Sequence, residues 1–243
     1  VKSMVTPVNT TAMIDSHCHM LPGVDDGAKD EAMALAMIEK SANDGVTHII
    51  LTPHFRKFDE GKRLKQIAVF ENLKLSVKQK GIPIELYLGK EVYYKDNLLE
   101  QTKNLAIDGS PYVLIEFSTT MEQNIEEIIF NLKVSKLKPI VAHVERYPYL
   151  KKEDYHQIRL TGGLLQVNAG AIKGFEGFGK RRLVKFLLKN QLVDIVASDA
   201  HNLTNRKPNL KNAYKTVSKK YGKAYADLIF FENPKKIIDS IQL

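Results

Sequence analysis

Residues 13–19 are Met-Ile-Asp-Ser-His-Cys-His, a short apolar run that ends in two histidines separated by one residue. Alternate side chains of an extended strand point the same way, so we expect His17 and His19 to share one face. Two imidazoles on one face form a ready pair of transition-metal ligands. Cys18 then points away and is expected to be a small buried apolar residue. It is the chain's single cysteine, which excludes an internal disulfide and favours a reducing cytoplasm.

Similar runs rich in β-branched residues recur along the chain, separated by segments of helical period. Seven strands are predicted, at residues 12–16, 47–52, 84–89, 112–116, 140–142, 164–167 and 193–197. The helices between them include about Arg63–Lys80, Asp96–Lys103 and Leu210–Tyr221, and a last one that begins at Pro234 with Asn233 as N-cap.

Helices between nearly all-apolar strands predict a parallel sheet covered on both faces. Seven such units in 243 residues favour one α/β domain folded as a TIM-like, distorted β/α barrel. A doubly wound open sheet is the alternative. We interpret residues 1–12 as a flexible N-terminal extension and residues 13–243 as the barrel.

Composition excludes several classes of protein. Hydrophobic residues make up 44% of the chain and charged residues 26%, which is typical of a globular protein with a full core. No apolar run approaches ~18 residues, so membrane insertion is not expected. The net charge of +8 favours anionic partners. The basic residues are scattered in twos and threes, so we expect solvated helix faces and no nucleic-acid partner.

Each predicted strand is followed or ended by a polar side chain, most of them able to bind metal. In chain order these are His17 and His19, His54, Glu91, Glu116, His143, Asn168, and Asp199 with His201. In a barrel the carboxyl ends of the strands form one rim, where active sites lie. Five of the seven histidines lie at strand ends, which a random distribution does not explain. The spacing Asp199-Ala200-His201 predicts that the extended geometry of the first pair is repeated.

The rim predicts a site for several metal ions. One ion needs three or four protein ligands, so nine candidates are enough for two to three ions. Imidazole and carboxylate ligands without thiolate favour catalytic manganese, iron or zinc. The nine candidates are His17, His19, Asp26, His54, Glu91, Glu116, His143, Asp199 and His201.

Two arginines follow rim residues closely in sequence. Arg146 lies three residues after His143, and Arg206 lies five after His201. A guanidinium binds phosphate through two parallel hydrogen bonds and stays charged at any working pH. These two residues are therefore the predicted substrate-binding and catalytic cations of a phosphoester hydrolase.

Taken together, these motifs resemble the polymerase and histidinol phosphatase (PHP) family, and most closely its bacterial CpsB-type tyrosine phosphatases of capsule and exopolysaccharide loci. The resemblance covers about residues 13–206 and rests on an ordered set of motifs. They are Met13-Ile-Asp-Ser-His-Cys-His19, Val24-Asp-Asp-Gly27, Thr52-Pro-His54, Gly89-Lys-Glu-Val-Tyr-Tyr94, Leu114-Ile-Glu-Phe117, Val141-Ala-His-Val-Glu-Arg146, Gln166-Val-Asn168 and Ala197-Ser-Asp-Ala-His-Asn202.

The resemblance implies a TIM-like barrel that holds three ions, usually manganese, with Arg146 and Arg206 contacting phosphate. It implies three ligand sets: His17, His19, Glu91 and Asp199; Glu91, Glu116 and His143; and Asp26, His54 and His201. The implied substrate is the phosphotyrosine-rich tail of an autophosphorylated bacterial tyrosine kinase. We expect a metal-activated hydroxide to attack phosphorus in line.

Other functions stay open at this point. A tyrosine phosphatase with a cysteine nucleophile needs the pattern C-x5-R, and the sixth residue after Cys18 is Val24. A small-molecule phosphatase such as histidinol-phosphate phosphatase shares the same metal rim. A PHP-type nuclease is a second alternative, because PHP domains also occur with polymerases and the chain is basic. A binding module that has lost turnover is the remaining alternative.

Overall fold

The protein is described by a computed structural model. It describes residues 12–95 and 105–241, and every structural statement below concerns these. The helix expected at Asp96–Lys103 and all but the last residue of the expected 1–12 extension lie outside the described residues.

Strands and helices alternate along the described chain. The strands are β1 Met13–Cys18, β2 Val46–Leu51, β3 His54–Phe55, β4 Glu85–Leu88, β5 Glu91–Tyr93, β6 Tyr112–Glu116, β7 Lys138–Val141, β8 Leu164–Asn168 and β9 Ile195–Ala197. The α-helices are α1 Glu31–Asn43, α2 Glu60–Gln79, α3 Ile125–Val134, α4 Lys152–Thr161, α5 Ala169–Lys173, α6 Phe178–Lys189, α7 Leu210–Tyr221, α8 Lys223–Asp227 and α9 Asn233–Asp239.

All the described strands pair in parallel, which confirms the predicted α/β class. They form one sheet in the order β1-β2-β4 and a second in the order β3-β5-β6-β7-β8-β9. The two sheets meet where β1 runs beside the chain that follows β9: Asp199 N–H donates to the His17 carbonyl, and His19 N–H donates to the Ala200 carbonyl, both at 2.9 Å. The curled parallel sheet is that of a distorted barrel, and the rim lies at the carboxyl ends of its strands.

Two of the predicted strands are interrupted. The ladder of β2 stops at Thr52 and Pro53 and resumes as β3, because proline has no N–H to donate. The strand predicted at 84–89 stops at Leu88, and Glu91 begins the separate strand β5 rather than following the third strand. Gly89 lies against Ile50 so closely that a Cβ would come within 2.9 Å of that side chain.

Several other boundaries differ from expectation. Helix α2 begins at Glu60, three residues before the predicted start, because the Asp59 carboxylate caps it by accepting from Lys62 N–H at 3.0 Å. The predicted N-cap role of Asn233 is wrong. The chain is already helical through a π-turn at Leu228–Glu232, and the Asn233 amide donates instead to the Asp194 carbonyl at 2.9 Å.

The core lies between the strands and the surrounding helices. All six residues of β1 are buried, as the apolar pattern of a strand covered on both faces predicts. Cys18 is fully buried in the main hydrophobic cluster, as expected from its position between the two histidines. Among the described residues, no helix combines the length and apolar character that crossing a membrane requires.

Candidate metal centre

Strand β1 delivers both of its histidines to the rim. The Nε2 atoms of His17 and His19 lie 3.4 Å apart, so the predicted shared face is confirmed. Each ring is fixed from behind by its Nδ1 atom, which lies 3.0 Å from Gln166 Oε1 for His17 and 2.8 Å from Asp25 Oδ2 for His19. Both Nε2 atoms are therefore held toward the same point.

Glu91, the first residue of β5, lies at the centre of this cluster. Its Oε1 is 3.2 Å from His17 Nε2 and 3.0 Å from His143 Nε2. Its Oε2 is 3.3 Å from His19 Nε2 and 3.0 Å from His54 Nδ1. One buried carboxylate thus reaches four imidazoles from three different parts of the chain: β1 and the residue after it, β3, and the turn after β7.

Two rim residues adopt a left-handed backbone that non-glycine residues rarely take. His143 has φ 31° and Asp199 has φ 50°. The expected repeat of extended geometry at Asp199-Ala200-His201 is therefore wrong. The turn at Asp199 nevertheless brings its Oδ1 to 3.6 Å from His201 Nδ1. At His143 the Gln166 carboxamide accepts the backbone N–H at 2.9 Å, which fixes the turn.

The loop after β1 closes the other side of the rim. Asp26 Oδ1 lies 3.3 Å from His54 Nε2 and 3.6 Å from His201 Nε2. Gly27 makes this approach feasible, because a Cβ there would lie 1.9 Å from the His19 carbonyl oxygen. Unlike the other acids of the cluster, Asp26 is largely exposed, with 64% of its side chain accessible.

All nine predicted ligands converge on one site. Within it, four sets place one ligand atom per residue within 4.8 Å of each other. They are His17, His19 and Asp199; His17, Glu91 and His143; His54, Glu91 and Glu116; and His19, Asp26, His54 and His201. The sets overlap the three implied by the resemblance but divide the ligands differently, and metal binding by each residue stays a prediction.

The electrostatics of the site differ from one ligand to the next: the pKa of His19 is raised, whereas those of Glu91 and His201 are lowered. Burial lowers the pKa of His19, but hydrogen bonds to Asp25 and Glu91 outweigh it and raise that pKa to about 10. Burial also raises the pKa of Glu91, but the positive charge of His17 and hydrogen bonds from the imidazoles hold it well below its usual range. Burial and the charge of His19 lower the pKa of His201 to about 4.

The donor set fits divalent cations. In the part of the chain that the structure describes, the buried Glu91 Oε2 and His201 Nε2 have no well-directed hydrogen bond, although other ligand atoms lie close to both. Lone pairs that face one another across a buried anionic space are satisfied by a shared cation. Nitrogen and carboxylate ligands without thiolate favour a catalytic ion.

The two predicted phosphate-binding arginines both reach the same carboxylate. Arg146 and Arg206 each place a terminal guanidinium nitrogen 2.8 Å from Asp199 Oδ2. The Asn168 amide donates to that same oxygen at 2.9 Å. Arg146 is further held by Glu176, whose Oε2 lies 3.2 Å from its Nε.

Sequence reasoning missed several residues that support the site. Gln166 joins two ligands, because its Oε1 faces both His17 Nδ1 and the His143 N–H. Its position two residues before Asn168 on an otherwise apolar strand was a usable signal, because alternate residues share a face. Asp25 entered the sequence analysis only as part of the motif Val24–Gly27, and nothing local in the sequence identified Glu176 as the partner of Arg146.

Comparison with known proteins gives the family. The family model described as "Capsular polysaccharide synthesis, CpsB/CapC" matches residues 13–239. The chain is 33% identical over 238 residues to the tyrosine-protein phosphatase CpsB of Streptococcus pneumoniae, which covers 93% of this chain and 98% of that protein. It is 28% identical over 220 residues to the tyrosine-protein phosphatase YwqE of Bacillus subtilis, with 86% and 85% covered.

Solved structures agree on the fold. The chain matches a structure from a study of YwqE from Bacillus subtilis and CpsB from Streptococcus pneumoniae, described as metal-dependent tyrosine phosphatases. The TM-score is 0.85 at 24% identity, over 95% of this chain and 96% of that one. A phosphotriesterase homology protein from Escherichia coli matches with a TM-score of 0.58 at 13% identity, over 94% and 99%. The resemblance inferred from the motifs is confirmed, and the chain belongs to the CpsB/CapC family of capsular polysaccharide synthesis.

Proposed function

We propose that this chain is a metal-dependent protein-tyrosine phosphatase. The observation that carries the proposal is the convergence of five imidazoles and four carboxylates on one buried rim site. Relatives that match this chain in sequence over 98% and 85% of their length are named tyrosine-protein phosphatases. Hydrolysis of a phosphate monoester requires charge neutralisation and an activated water, and such a ligand set supplies sites for both.

The nine predicted ligands would hold two to three divalent ions, with manganese as the proposed metal. When bound, such ions lower the pKa of water and neutralise the phosphate charge. Glu91 is the proposed shared ligand, because each of its oxygens faces two imidazoles. The Asp199 carboxylate is divided: Oδ1 faces His17, His19 and His201, whereas Oδ2 accepts from the arginines.

Arg146 and Arg206 are the proposed phosphate-binding and catalytic residues. Each can present a guanidinium edge to phosphate oxygens while remaining anchored on Asp199. Because Arg146 is also tethered by Glu176, it is the better positioned of the two to stabilise charge that develops on the equatorial oxygens.

We further infer that residues 13–243 form a barrel of seven strands. Counting β2 with β3 and β4 with β5 reduces the nine described strand segments to seven. The hydrogen bond from Glu91 N–H to the Pro53 carbonyl at 3.1 Å supports this count, since it continues the pairing across both interruptions.

The proposed substrate is the phosphotyrosine-rich tail of a bacterial tyrosine kinase of the capsule system, met in the cytoplasm. A net charge of +8 favours an acidic, phosphorylated partner. The capsular role of the family supports the same assignment.

The test compares phosphate release from a phosphotyrosine peptide and from histidinol phosphate, using protein stripped by chelation and then reloaded with manganese. We expect peptide hydrolysis that disappears on chelation and returns with metal. Release from histidinol phosphate alone would replace the substrate with a small molecule. No release from either substrate by metal-loaded protein would contradict phosphatase activity.

A further inference from the structure

A cleft of about 600 Å³ opens directly from the metal-centre rim. Asp26 and His54 line its inner end, and the loop after β3 and the first turns of α2 form its outer wall. The volume lies within the range of pockets that bind small ligands. Whatever occupies this cleft is therefore a direct neighbour of a group bound at the rim.

The outer wall of this cleft is basic. Five cations line it, from three stretches of chain: Arg56, Lys57, Lys62, Arg63 and Lys95. The lining also contains three acids, but each is engaged elsewhere. Asp25 binds His19, Asp26 faces the rim histidines, and Asp59 caps α2. The charge available to a ligand in the outer part of the cleft is therefore positive.

Some of these cations are available to bind a ligand, whereas others are held in ion pairs. No carboxylate among residues 12–95 and 105–241 lies within ion-pair distance of Arg56 or Lys57, and both are exposed. The Arg56 guanidinium lies 5.7 Å from the centre of the Tyr93 ring, which orients it. Arg63 also lines the cleft but is held in place, because it pairs with the Asp108 carboxylate, which Lys90 contacts as well.

We propose that this cleft is a second anion subsite, which binds an anionic side chain next to the phosphotyrosine being hydrolysed. The inference rests on the proposed phosphatase function and specifies its substrate class: peptides with a second phosphoryl group or a carboxylate beside the target. A guanidinium held over an aromatic ring and exposed lysines suit either anion. Asp26 and His54 belong both to the rim and to the cleft, so an anion in the cleft lies beside a phosphate held at the rim.

Matched peptides test this subsite. Each carries one central phosphotyrosine, flanked by glutamate, by a second phosphotyrosine or by glutamine, and free phosphotyrosine serves as the substrate without flanks. For manganese-loaded protein, we expect kcat/KM for both anionic peptides to exceed that for the glutamine peptide about tenfold at low salt, and the advantage to shrink as salt rises. The double variant Arg56→Gln, Lys57→Gln should lose most of this advantage.

Lys185→Gln is the matched control, because Lys185 lines a separate basic groove against α7. It should keep the wild-type preference. Equal rates for all three peptides, or a preference that survives in the double variant, would overturn the subsite. A gain for the doubly phosphorylated peptide alone would support it and define the anion as phosphoryl.

Binding of the same peptides with a non-hydrolysable phosphotyrosine analogue, followed by fluorescence anisotropy, separates the subsite from turnover. If metal-loaded protein releases no phosphate even from free phosphotyrosine, the proposed function fails. A binding preference lost in the double variant would still support the subsite. Absence of that preference would overturn it independently of any catalysis.

Discussion

The two sides of the rim are built differently. On one side, Asp199 Oδ2 accepts from Arg146, Arg206 and Asn168, at distances of 2.8 to 2.9 Å, so this buried oxygen is fully engaged. We call this the closed wall. On the other side, the largely exposed Asp26 and the half-buried His54 face the basic cleft. We call this the open wall.

The difference indicates that the two walls have different functions. Buried, fully partnered groups hold their geometry without reorganisation, which is what stabilising a transition state requires. Exposed, unpaired cations gain most when a ligand replaces water, which suits recognition of different peptides. We therefore expect changes on the closed wall to alter turnover and changes on the open wall to alter preference among substrates.

The largest effect is expected at Glu91, which joins the two walls. Glu91→Gln removes the charge that four imidazoles share, so metal affinity and kcat/KM should both fall, kcat/KM by on the order of a thousandfold or more. Metal content by mass spectrometry and phosphate release measure the two losses. Glu71→Gln on the exposed face of α2 is the control. A folded Glu91→Gln protein with near-normal rates would remove Glu91 from the centre.

A smaller effect is expected at Gln166 behind the closed wall. Gln166→Leu removes the acceptor for His17 Nδ1 and the His143 N–H, so the rings lose their orientation. Loss of such a supporting hydrogen bond costs roughly 10- to 100-fold in metal affinity or activity. Titration with manganese measures the change. Excess metal should restore much of the rate, whereas unchanged metal affinity would show that Gln166 is only a packing residue.

Replacement of the two arginines by lysine should lower activity to different extents. Arg146 is 20% exposed and held by Glu176 as well as Asp199, whereas Arg206 is 35% exposed and held at the side chain by Asp199. Lysine keeps the charge but loses the paired hydrogen bonds. We expect Arg146→Lys to lower kcat about 100-fold and Arg206→Lys to act about tenfold, mainly on KM. Steady-state kinetics on one phosphopeptide would decide, and the reverse order would contradict the assigned roles.

Much of this site was predictable because its signals are local. The pairing of His17 with His19 follows from the period of a strand, and the ligand order follows from the rule that strand ends share a rim. Asp199 and His201 were also identified from their spacing, but the extended backbone that this spacing predicted is wrong. Asp199 has a left-handed backbone, which is set by tertiary contacts and not by the local sequence. The convergence was predictable, whereas the division of ligands into sets was not.

The open wall was not predictable, because its charges meet only in three dimensions. In the sequence, Arg56-Lys57 and Lys62-Arg63 are two short basic pairs, and such pairs predict only a solvated surface. The fold brings both pairs to one cleft, on either side of Asp59, which caps the start of α2. Nothing in the sequence around Asp108 indicated that it pairs with Arg63 and Lys90.

The smallest effect is expected at Cys18, which belongs to neither wall. It lies between the two rim histidines but is fully buried in the apolar core, with Sγ 3.7 Å from the Ile50 carbonyl oxygen. Burial raises the pKa of the thiol well above its usual value, so the thiolate needed for nucleophilic attack is not formed.

Cys18→Ser should keep kcat/KM within about twofold and lower stability by about 1 kcal/mol, the cost of burying a hydroxyl. Phosphate release and thermal unfolding of metal-loaded protein measure both quantities. A folded, metal-loaded Cys18→Ser protein without activity would contradict this expectation. It would mean that the core-facing residue of β1 also takes part in the chemistry, so that the rim residues alone do not account for activity.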